Sequence, residues 1–420
     1  MENANRRKSL RESNLETTPI FSLHLSTAMN ATTSRALIFP ACVGVAVALG
    51  MWQPALFGQY FGYDLKLLIV PLIQIIMFGM GAKLSADDFV RVFVVPWPVF
   101  IGVALHYTVM PLTGYAIAKV FGFPAEVAAG VILVGSVSSG TASNLVAYLS
   151  GANVALAVTV TACSTLVSPF MTPFLMKLLA GRMIEIEFMK MFFEILNMVM
   201  APVVAGLIAN RILYGNGATW KRAGNLTAAG FVTLACGIGI ALSNVNFFGP
   251  LKTGAALGLM LIGAVCFAKL FVNVLRNREF NWMDRVLPIV SMSAICFIIG
   301  IITSRSRNQL MNVGLALIGA AIIHNFVGYF LGYWLARAAR LDEITSRTVA
   351  IEVGMQNAGM ASGLAMGVLQ SAEAALAPAI FGPWMNISGA LLATYWRRNP
   401  VVQTASKEFV TEVETINATK

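Results

Sequence analysis

Residues 351–362 read Ile351-Glu-Val-Gly-Met-Gln-Asn-Ala-Gly-Met-Ala-Ser362 and lie inside an otherwise apolar run, 348–369. They place a carboxylate, two amides and two glycines in a segment that is long enough to cross a bilayer as a helix. A carboxylate at the centre of such a helix costs about 2.5–3.5 kcal/mol on insertion scales, so it needs a compensating partner. The stretch therefore predicts a membrane helix that is broken at mid-depth, with a bound cation as the simplest partner.

A second apolar run is interrupted in the same way. The stretch Val134-Gly-Ser-Val-Ser-Ser-Gly-Thr-Ala-Ser-Asn144 contains two glycines and six hydroxyl or amide side chains. Unwound backbone exposes carbonyl oxygens that can coordinate Na⁺, and a half-helix N-terminus presents free N–H groups to an anion. The alternative is a pair of glycine-kinked packing helices whose hydroxyls bond back to the i−4 carbonyls. The two polar stretches occupy matching positions in the first and second halves of the chain. This favours two broken helices that cross, rather than a pair of kinked packing helices.

The composition is that of a membrane protein. Of the 420 residues, 57% are hydrophobic and 11% are charged, against roughly 25% charged residues in a soluble domain. The mean hydropathy is +0.75. These values exclude a soluble enzyme, a secreted disulfide scaffold and a disordered chain. We predict an all-α polytopic protein with about twelve spanning runs, at roughly 36–52, 64–82, 92–118, 126–149, 154–179, 188–212, 224–243, 251–275, 286–303, 310–336, 348–369 and 374–396.

The positive charges indicate how the chain lies in the bilayer. The net charge is +10, but no basic stripe with interleaved aromatic residues is present, so we expect no nucleic-acid partner. Most Lys and Arg residues lie in the terminal tails and in loops on the same side as the N-terminus. Loops rich in Lys and Arg stay on the cytoplasmic side. We therefore expect a protein of the plasma (inner) membrane with both termini cytoplasmic, and a monomer.

An internal repeat relates the two halves of the chain. His106-Tyr-Thr-Val-Met-Pro-Leu-Thr-Gly-Tyr-Ala-Ile-Ala-Lys119 aligns with His324-Asn-Phe-Val-Gly-Tyr-Phe-Leu-Gly-Tyr-Trp-Leu-Ala-Arg337, and Pro71 and Pro288 recur at nearly the same offset. The aligned runs begin on opposite sides of the membrane, which predicts two inverted five-helix repeats, the plan of many secondary transporters. The offset exceeds the length of one half by two helices. We therefore expect an extra helical pair inserted into a ten-helix core.

These observations predict an order of segments along the chain. The predicted boundaries are a cytoplasmic N-terminal tail at 1–34, the first repeat with core helices one to five at 35–187, core helix six at 188–215, the inserted hairpin at 216–284, core helices seven to ten at 285–396 and a cytoplasmic C-terminal tail at 397–420.

The sequence resembles the bile acid:sodium symporter (BASS) family. The resemblance covers about 35–215 and 284–398 and implies a panel domain, a core domain, two Na⁺ sites behind the helix crossing, and alternating access. Glu352-Val-Gly-Met-Gln-Asn357 is its most specific part. The stretches that support it are Gly140-Thr-Ala-Ser-Asn144, Asn153-Val-Ala-Leu, Ser164-Thr-Leu-Val-Ser-Pro169, Glu352-Val-Gly-Met-Gln-Asn357 and Asn386-Ile-Ser-Gly-Ala-Leu-Leu-Ala-Thr-Tyr-Trp396.

The resemblance also implies which residues bind Na⁺ and substrate. Two positions depart from its pattern, because Ala157 stands where a hydroxyl of the first site is expected and His106 stands where a glutamine of the second is expected. These departures leave the Na⁺ stoichiometry open, with proton coupling through His106 as an alternative. The implied residues are Ser143, Asn144, Thr161 and Glu352 for the first Na⁺ site, Glu352, Gln356, His106 and the carbonyls of Val353 and Met355 for the second, and Thr141 and Asn357 for the substrate cavity.

Three classes of function compete. We expect a secondary active transporter in which Na⁺ is the coupling ion for a small organic anion of bile-acid-like, pantoate or 2-keto acid class. The alternative is a cation/proton antiporter, or a proton-coupled organic anion transporter, with the same broken helices. Neither broken segment contains a second acid beside Glu352, which favours symport. The third class of function is a membrane scaffold or sensor that transports nothing. An enzyme is not expected, because no HExxH, GxSxG or Walker pattern lies at a membrane face.

Overall fold

The computed structural model describes residues 41–215, 220, 222–243, 249–275 and 283–401. The predicted tail at 1–34, and the predicted tail at 397–420 beyond residue 401, lie outside the described residues. The described chain is mostly helical. Seven of its helices are long and apolar enough to cross a membrane, and shorter apolar helices accompany them. The prediction of a helical membrane protein is thus confirmed.

The helices follow one another with short connections. A hairpin of two-residue strands, β1 (Gln59–Tyr60) and β2 (Tyr63–Asp64), and a 3₁₀ turn precede α2, which therefore begins later than the predicted run at 64–82. The helices are α1 (Ala41–Trp52), α2 (Ile69–Gly81), α3 (Ala86–Val94), α4 (Pro96–Phe121), α5 (Ala125–Ser136), α6 (Ala142–Ser150), α7 (Val154–Ala180), α8 (Phe188–Ile195), α9 (Ala201–Tyr214), α10 (Ala223–Leu242), α11 (Lys252–Lys269), α12 (Met283–Arg305), α13 (Arg307–Ala338), α14 (Glu343–Gly354), α15 (Ala358–Gly367) and α16 (Ala372–Arg398).

Both polar stretches interrupt a helix. The first break separates α5 from α6, and the second separates α14 from α15. After the second break, the side chain of Asn357 accepts a hydrogen bond from the N–H of Met360 at 3.0 Å and caps the new helix. Gly140 is required at the first break, because a Cβ there would lie 2.6 Å from the carbonyl oxygen of Gln356. The breaks are therefore specific local structures rather than glycine kinks.

The helices pack in two groups. Helices α4 to α7 pack with α13, α14 and α16, whereas α2 packs with α9 and α12. The half-helix α15 and helix α16 contact the second group, through α2 and α12 respectively. Both broken helices therefore belong mainly to the first group, and the second group faces them.

The predicted hairpin consists of α10 and α11. These two helices pack against each other, and α11 also packs against α9 and α2. One docking point is a π-helical turn, Leu196–Met200, where the Asn197 side-chain oxygen accepts from the N–H of Gly254 at 2.7 Å and from the Thr253 hydroxyl at 3.0 Å. Sequence reasoning missed this turn.

Lys269 is the second docking point. From its place inside the apolar run at 251–275 we expect its side chain to extend toward the membrane surface, and this prediction is wrong. The side chain is buried, and its ammonium donates to the carbonyl oxygens of Ile212 at 2.5 Å and Leu213 at 3.1 Å. A cation at the C-terminal end of α9 satisfies carbonyls that the helix leaves unpaired.

Candidate functional site

The two breaks are tied to each other by main-chain hydrogen bonds. The N–H of Gly140 donates to the carbonyl of Met355 at 3.0 Å, and the N–H of Asn357 donates to the carbonyl of Ser138 at 2.9 Å. Ser139 and Gln356 thus face each other as an isolated antiparallel pair. The pairing satisfies peptide groups that the broken helices leave without partners, and it fixes the position of every side chain at the crossing.

Glu352 lies at this crossing and is completely buried. Its Oε2 accepts hydrogen bonds from the hydroxyls of Thr161 at 2.7 Å and Ser139 at 2.8 Å. Its Oε1 has no hydrogen-bond partner among the described residues. A buried carboxylate oxygen without a partner is costly, so this geometry leaves one ligand position open on the only charged group of the two broken segments.

His106, from α4, joins both breaks. Its Nε2 lies 2.8 Å from the carbonyl oxygen of Val137, and its Nδ1 lies 3.1 Å from the carbonyl oxygen of Glu352. A continuous helix would pair the second carbonyl with the N–H of Gln356, which instead contacts the sulfur of Met385 at 3.1 Å. A neutral imidazole has one N–H and can donate to only one of the two carbonyls. His106 therefore lies against two main-chain oxygens at the breaks and donates a hydrogen bond to one of them.

The remaining residues implied for the second Na⁺ site are close together. The Gln356 amide donates to the carbonyl of Val353 at 2.6 Å, and its own oxygen, Oε1, has no partner in the described part of the chain. The carbonyl of Met355 already accepts from Gly140. The carbonyl oxygens of Val353 and Met355 thus already accept hydrogen bonds. The buried amide oxygen of Gln356 accepts none from the described residues and is available to a ligand.

The residues implied for the first site come from α6 and α7. The Thr161 hydroxyl lies 3.5 Å from the side-chain oxygen of Asn144 while it donates to Glu352. Ser143 is buried beside them, with its hydroxyl donating to the carbonyl of Gly140 at 2.7 Å. Ala157, one turn before Thr161, packs in an apolar cluster. The structure therefore places the Thr161 hydroxyl between the side chains of Asn144 and Glu352.

Sequence reasoning missed four polar residues that support the crossing. The Ser139 hydroxyl bonds Glu352, its N–H donates to the Ser164 hydroxyl at 3.3 Å, and the Tyr107 hydroxyl donates to the carbonyl of Ser164 at 2.6 Å. The Asn325 amide donates to the carbonyl of Gly354 at 2.8 Å. Ser139 could have been found from the sequence, because it lies inside the polar run 134–144. Tyr107 and Asn325 could not, because they come from helices that are distant in sequence from the residues they contact.

A cavity of about 100 Å³ opens at the crossing. Thr141 and Asn357, at the N-termini of α6 and α15, contribute to its wall, as the resemblance implies. No Lys, Arg, Asp or Glu lies among the described residues that line it, and none of the lining residues comes from α10 or α11. Its apolar wall consists of Ile76, Met77, Ile295, Ile298, Ile299, Met355, Pro378, Pro383 and Met385.

The atoms at the crossing fit a hard monovalent cation. Carboxylate, amide, hydroxyl and carbonyl oxygens are the ligands that such ions prefer. Glu352 Oε1 and Gln356 Oε1 are buried and have no hydrogen-bond partner among the described residues, so they can accept an ion without breaking an existing bond. The N-termini of two half-helices meet beside these oxygens and favour an anion in the cavity.

Comparison with known proteins points to a transporter family. A model described as "Sodium Bile acid symporter family" matches residues 70–248. The uncharacterized sodium-dependent transporter YocS of Bacillus subtilis is 34% identical over 360 residues, which is 86% of this chain and 91% of the relative. The probable sodium/metabolite cotransporter BASS1, chloroplastic, of Oryza sativa subsp. japonica is 29% identical over 86% of this chain and 73% of its own length.

Among solved structures, a sodium proton antiporter from Methanocaldococcus jannaschii aligns with 90% of this chain and 97% of its own. The sequence identity is 12% and the TM-score is 0.47. A similarity at this level supports no conclusion about activity.

Proposed function

Because this chain belongs to the sodium bile acid symporter family, we propose that it is a Na⁺-coupled symporter that brings a small organic anion into the cell. The family and the relatives are transporters rather than enzymes, and sodium is the coupling ion that their names indicate. The observation that supports the proposal most directly is the unpartnered Oε1 of Glu352 at the crossing of two broken helices.

The first proposed Na⁺ site consists of Glu352 and the residues of α6 and α7 beside it. Thr161 already contacts both Asn144 and Glu352, and the buried Ser143 precedes Asn144 on α6. Binding of a cation here offsets the charge of the buried carboxylate. Ala157 supplies no oxygen to this set, so one ligand of the pattern is missing.

The second proposed Na⁺ site lies on the other side of Glu352. Its open oxygen is Gln356 Oε1, and the carbonyls of Val353 and Met355 are the main-chain oxygens nearby. Where the family pattern has an amide, His106 supplies an imidazole that contacts two carbonyls. A second Na⁺ here would compete with these contacts, so we propose that this site is the weaker one.

The cavity at the crossing suggests the size of the anion. A volume of about 100 Å³ is small beside the roughly 300–1,000 Å³ of pockets for drug-sized ligands. The half-helix N-termini attract one negative charge, and the isoleucine and methionine side chains suit a short apolar tail. We therefore favour a pantoate or 2-keto acid type of monocarboxylate over a bile acid.

We further propose the architecture that the sequence predicts. Two inverted five-helix repeats, 35–187 and 188–215 with 285–396, form the core, and the inserted pair at 216–284 lies outside it. The position of α10 and α11 away from the crossing cavity supports this arrangement. We propose a plasma-membrane location with both termini cytoplasmic, in agreement with the distribution of Lys and Arg.

Uptake into proteoliposomes tests the function. We expect an inward Na⁺ gradient to drive accumulation of a labelled 2-keto acid or pantoate, and an equal K⁺ gradient to drive none. Accumulation driven by a proton gradient without Na⁺ would instead identify the proton-coupled alternative. Exchange of Na⁺ for protons without any organic anion would identify the antiporter and contradict the proposal.

A further inference from the structure

A second cavity lies at the junction of α12 and α13 and is separate from the crossing cavity. Its volume is about 360 Å³. It is lined by Pro54, by the residues 304–309 that join the two helices, and by Glu373 at the start of α16. The lining is mainly polar and basic, in contrast to the apolar wall of the crossing cavity.

Two arginines give this cavity its positive charge. Arg305 forms an ion pair with Asp64, whose pKa is held below its ordinary value by the Lys66 main-chain N–H and by Arg305 itself. Arg307 is exposed and has no ion pair within the described part of the chain. The charge of Arg305 is therefore balanced by Asp64, whereas that of Arg307 is available to a ligand.

The beginning of α13 adds hydrogen-bond donors. Ser306 precedes this 32-residue helix, but its side chain makes no capping hydrogen bond. Its hydroxyl is buried and has no partner among the described residues, although Ser306 lines the cavity. A serine at this place usually caps the first-turn N–H groups, and here the N–H groups of Arg307, Asn308 and Gln309 lack that cap. An uncapped helix N-terminus beside an arginine without an ion pair attracts an anion.

The two cavities share two walls. Along α12, Ile298 and Ile299 line the crossing cavity and Ser304 lines the second one. Along α16, Pro378 lines the first and Glu373 the second. Five residues of helix correspond to about 7.5 Å, so each wall reaches from one cavity to the other in less than two turns. An anion held at the second cavity is thus close to the crossing.

We propose that the cavity at the α12–α13 junction binds the carboxylate of the organic anion before it enters the crossing cavity. The Arg307 guanidinium, the Ser306 hydroxyl and the first N–H groups of α13 hold the carboxylate. Glu373 repels it and keeps the affinity low, which lets the anion move on between α12 and α16. The role in transport rests on the proposed function, whereas the anion site itself does not.

Acetate, the smallest carboxylate, is the probe for this site. We titrate potassium acetate against the full-length protein by calorimetry in Na⁺-free buffer, so that binding does not need the coupling ion. We expect saturable binding that weakens about tenfold in Arg307→Gln, the loss of one charge-assisted hydrogen bond. Glu373→Gln should bind acetate more tightly than the unchanged protein. Arg398→Gln, which removes an exposed arginine elsewhere, is the matched control and should bind normally.

Uptake measurements then connect the site to transport. In Arg307→Gln we expect a higher KM for the organic anion with an unchanged maximal rate and an unchanged Na⁺ dependence. Equal acetate binding by Arg307→Gln and the unchanged protein, or no tightening in Glu373→Gln, would overturn the anion site. If acetate binds as expected but no Na⁺ gradient drives uptake, the site stands and the proposed symport is wrong.

Discussion

A single carboxylate defines the chemistry of the crossing. Glu352 is buried, uses one oxygen to accept two hydroxyl hydrogen bonds, and leaves the other oxygen without a partner among the described residues. The hydroxyls of Ser139 and Thr161 orient the carboxylate and leave its second oxygen open for a ligand. Its role as a shared Na⁺ ligand is therefore tested by removing the charge while keeping the shape.

Glu352→Gln should abolish the thermal stabilisation that Na⁺ gives to the detergent-solubilised protein. An amide has nearly the same volume, and its oxygen can still accept from Thr161, so the fold should persist while the negative charge is lost. The measurement is the unfolding temperature with and without NaCl, at constant ionic strength set with KCl. Glu194→Gln, a change on α8, is the control. Equal Na⁺ stabilisation of Glu352→Gln and the unchanged protein would remove Glu352 from both proposed sites.

His106→Gln should increase the apparent affinity for Na⁺. An amide oxygen is a better ligand for a hard cation than an imidazole nitrogen. The glutamine amide reaches about as far as the imidazole Nε2 but has no atom in the place of Nδ1, so it releases the carbonyl of Glu352. Na⁺ titrations followed by unfolding temperature provide the measurement. His324→Gln, at the buried position of α13 that the predicted repeat aligns with His106, should leave the affinity unchanged. A weaker affinity in His106→Gln would mean that the imidazole supports the site as it is.

At the scale of single elements, α14, the half-helix that carries Glu352, begins at a capping aspartate. Asp342 caps this half-helix by accepting from the Thr345 N–H at 3.0 Å and from the Thr345 hydroxyl. Partial burial acts to raise the pKa of Asp342, but the hydrogen bonds from Thr345 outweigh it and hold the pKa below its ordinary value. The ionised cap therefore stabilises the folded state.

Asp342→Ala should destabilise the protein by about 1 kcal/mol at pH 7, the usual effect of losing a helix cap. Because the folded-state pKa is lowered, the stabilisation is present above the unfolded value near 3.8 and is lost as the pH falls through the folded value. The difference in unfolding temperature between the two proteins should thus shrink below about pH 4. Identical unfolding at pH 7 would show that Asp342 contributes nothing as a cap.

Sequence patterns predicted some of these elements and missed others. Several Gly and polar residues close together inside apolar runs predicted both breaks, since they weaken a helix and release main-chain groups that must find other partners in the membrane. The π-helical turn at Leu196–Met200 and the ligand-supporting contacts of Tyr107 and Asn325 were not predictable. They depend on which helices meet, and local pattern does not contain that information. Lys269 was misplaced for the same reason, because its carbonyl partners lie in α9.

At the scale of the whole molecule, the hairpin of α10 and α11 is attached to the rest in part through polar contacts at the π-helical turn Leu196–Met200. Gly254 lies against the π-helical turn, where its N–H donates to the side-chain oxygen of Asn197. A Cβ at Gly254 would overlap the carbonyl oxygen of Asn197. Gln74 of α2 donates to the same carbonyl at 3.2 Å. The turn at Asn197 thus connects the hairpin to α2 and α9, away from the crossing.

Gly254→Leu should lower the unfolding temperature without changing the Na⁺ affinity, because it separates the hairpin from α9 and leaves the crossing untouched. The matched control is Gly239→Leu on α10, where nothing lies within 4 Å of an added Cβ. Unfolding temperature and Na⁺ titration are measured on both variants. Loss of Na⁺ binding in Gly254→Leu alone would show that the hairpin acts on the ion sites.

The main-chain pairing of the two breaks has a consequence for how such proteins diversify. Main-chain atoms, and not side chains, join Gly140 to Met355 and Asn357 to Ser138, although Gly140 itself must stay a glycine because a Cβ would meet the carbonyl oxygen of Gln356. Side chains that face the cavity, such as Thr141 or Ile298, can therefore be exchanged over generations without dismantling the crossing. Descendants of one ancestral gene can acquire new cargoes in this way while they inherit an unchanged scaffold.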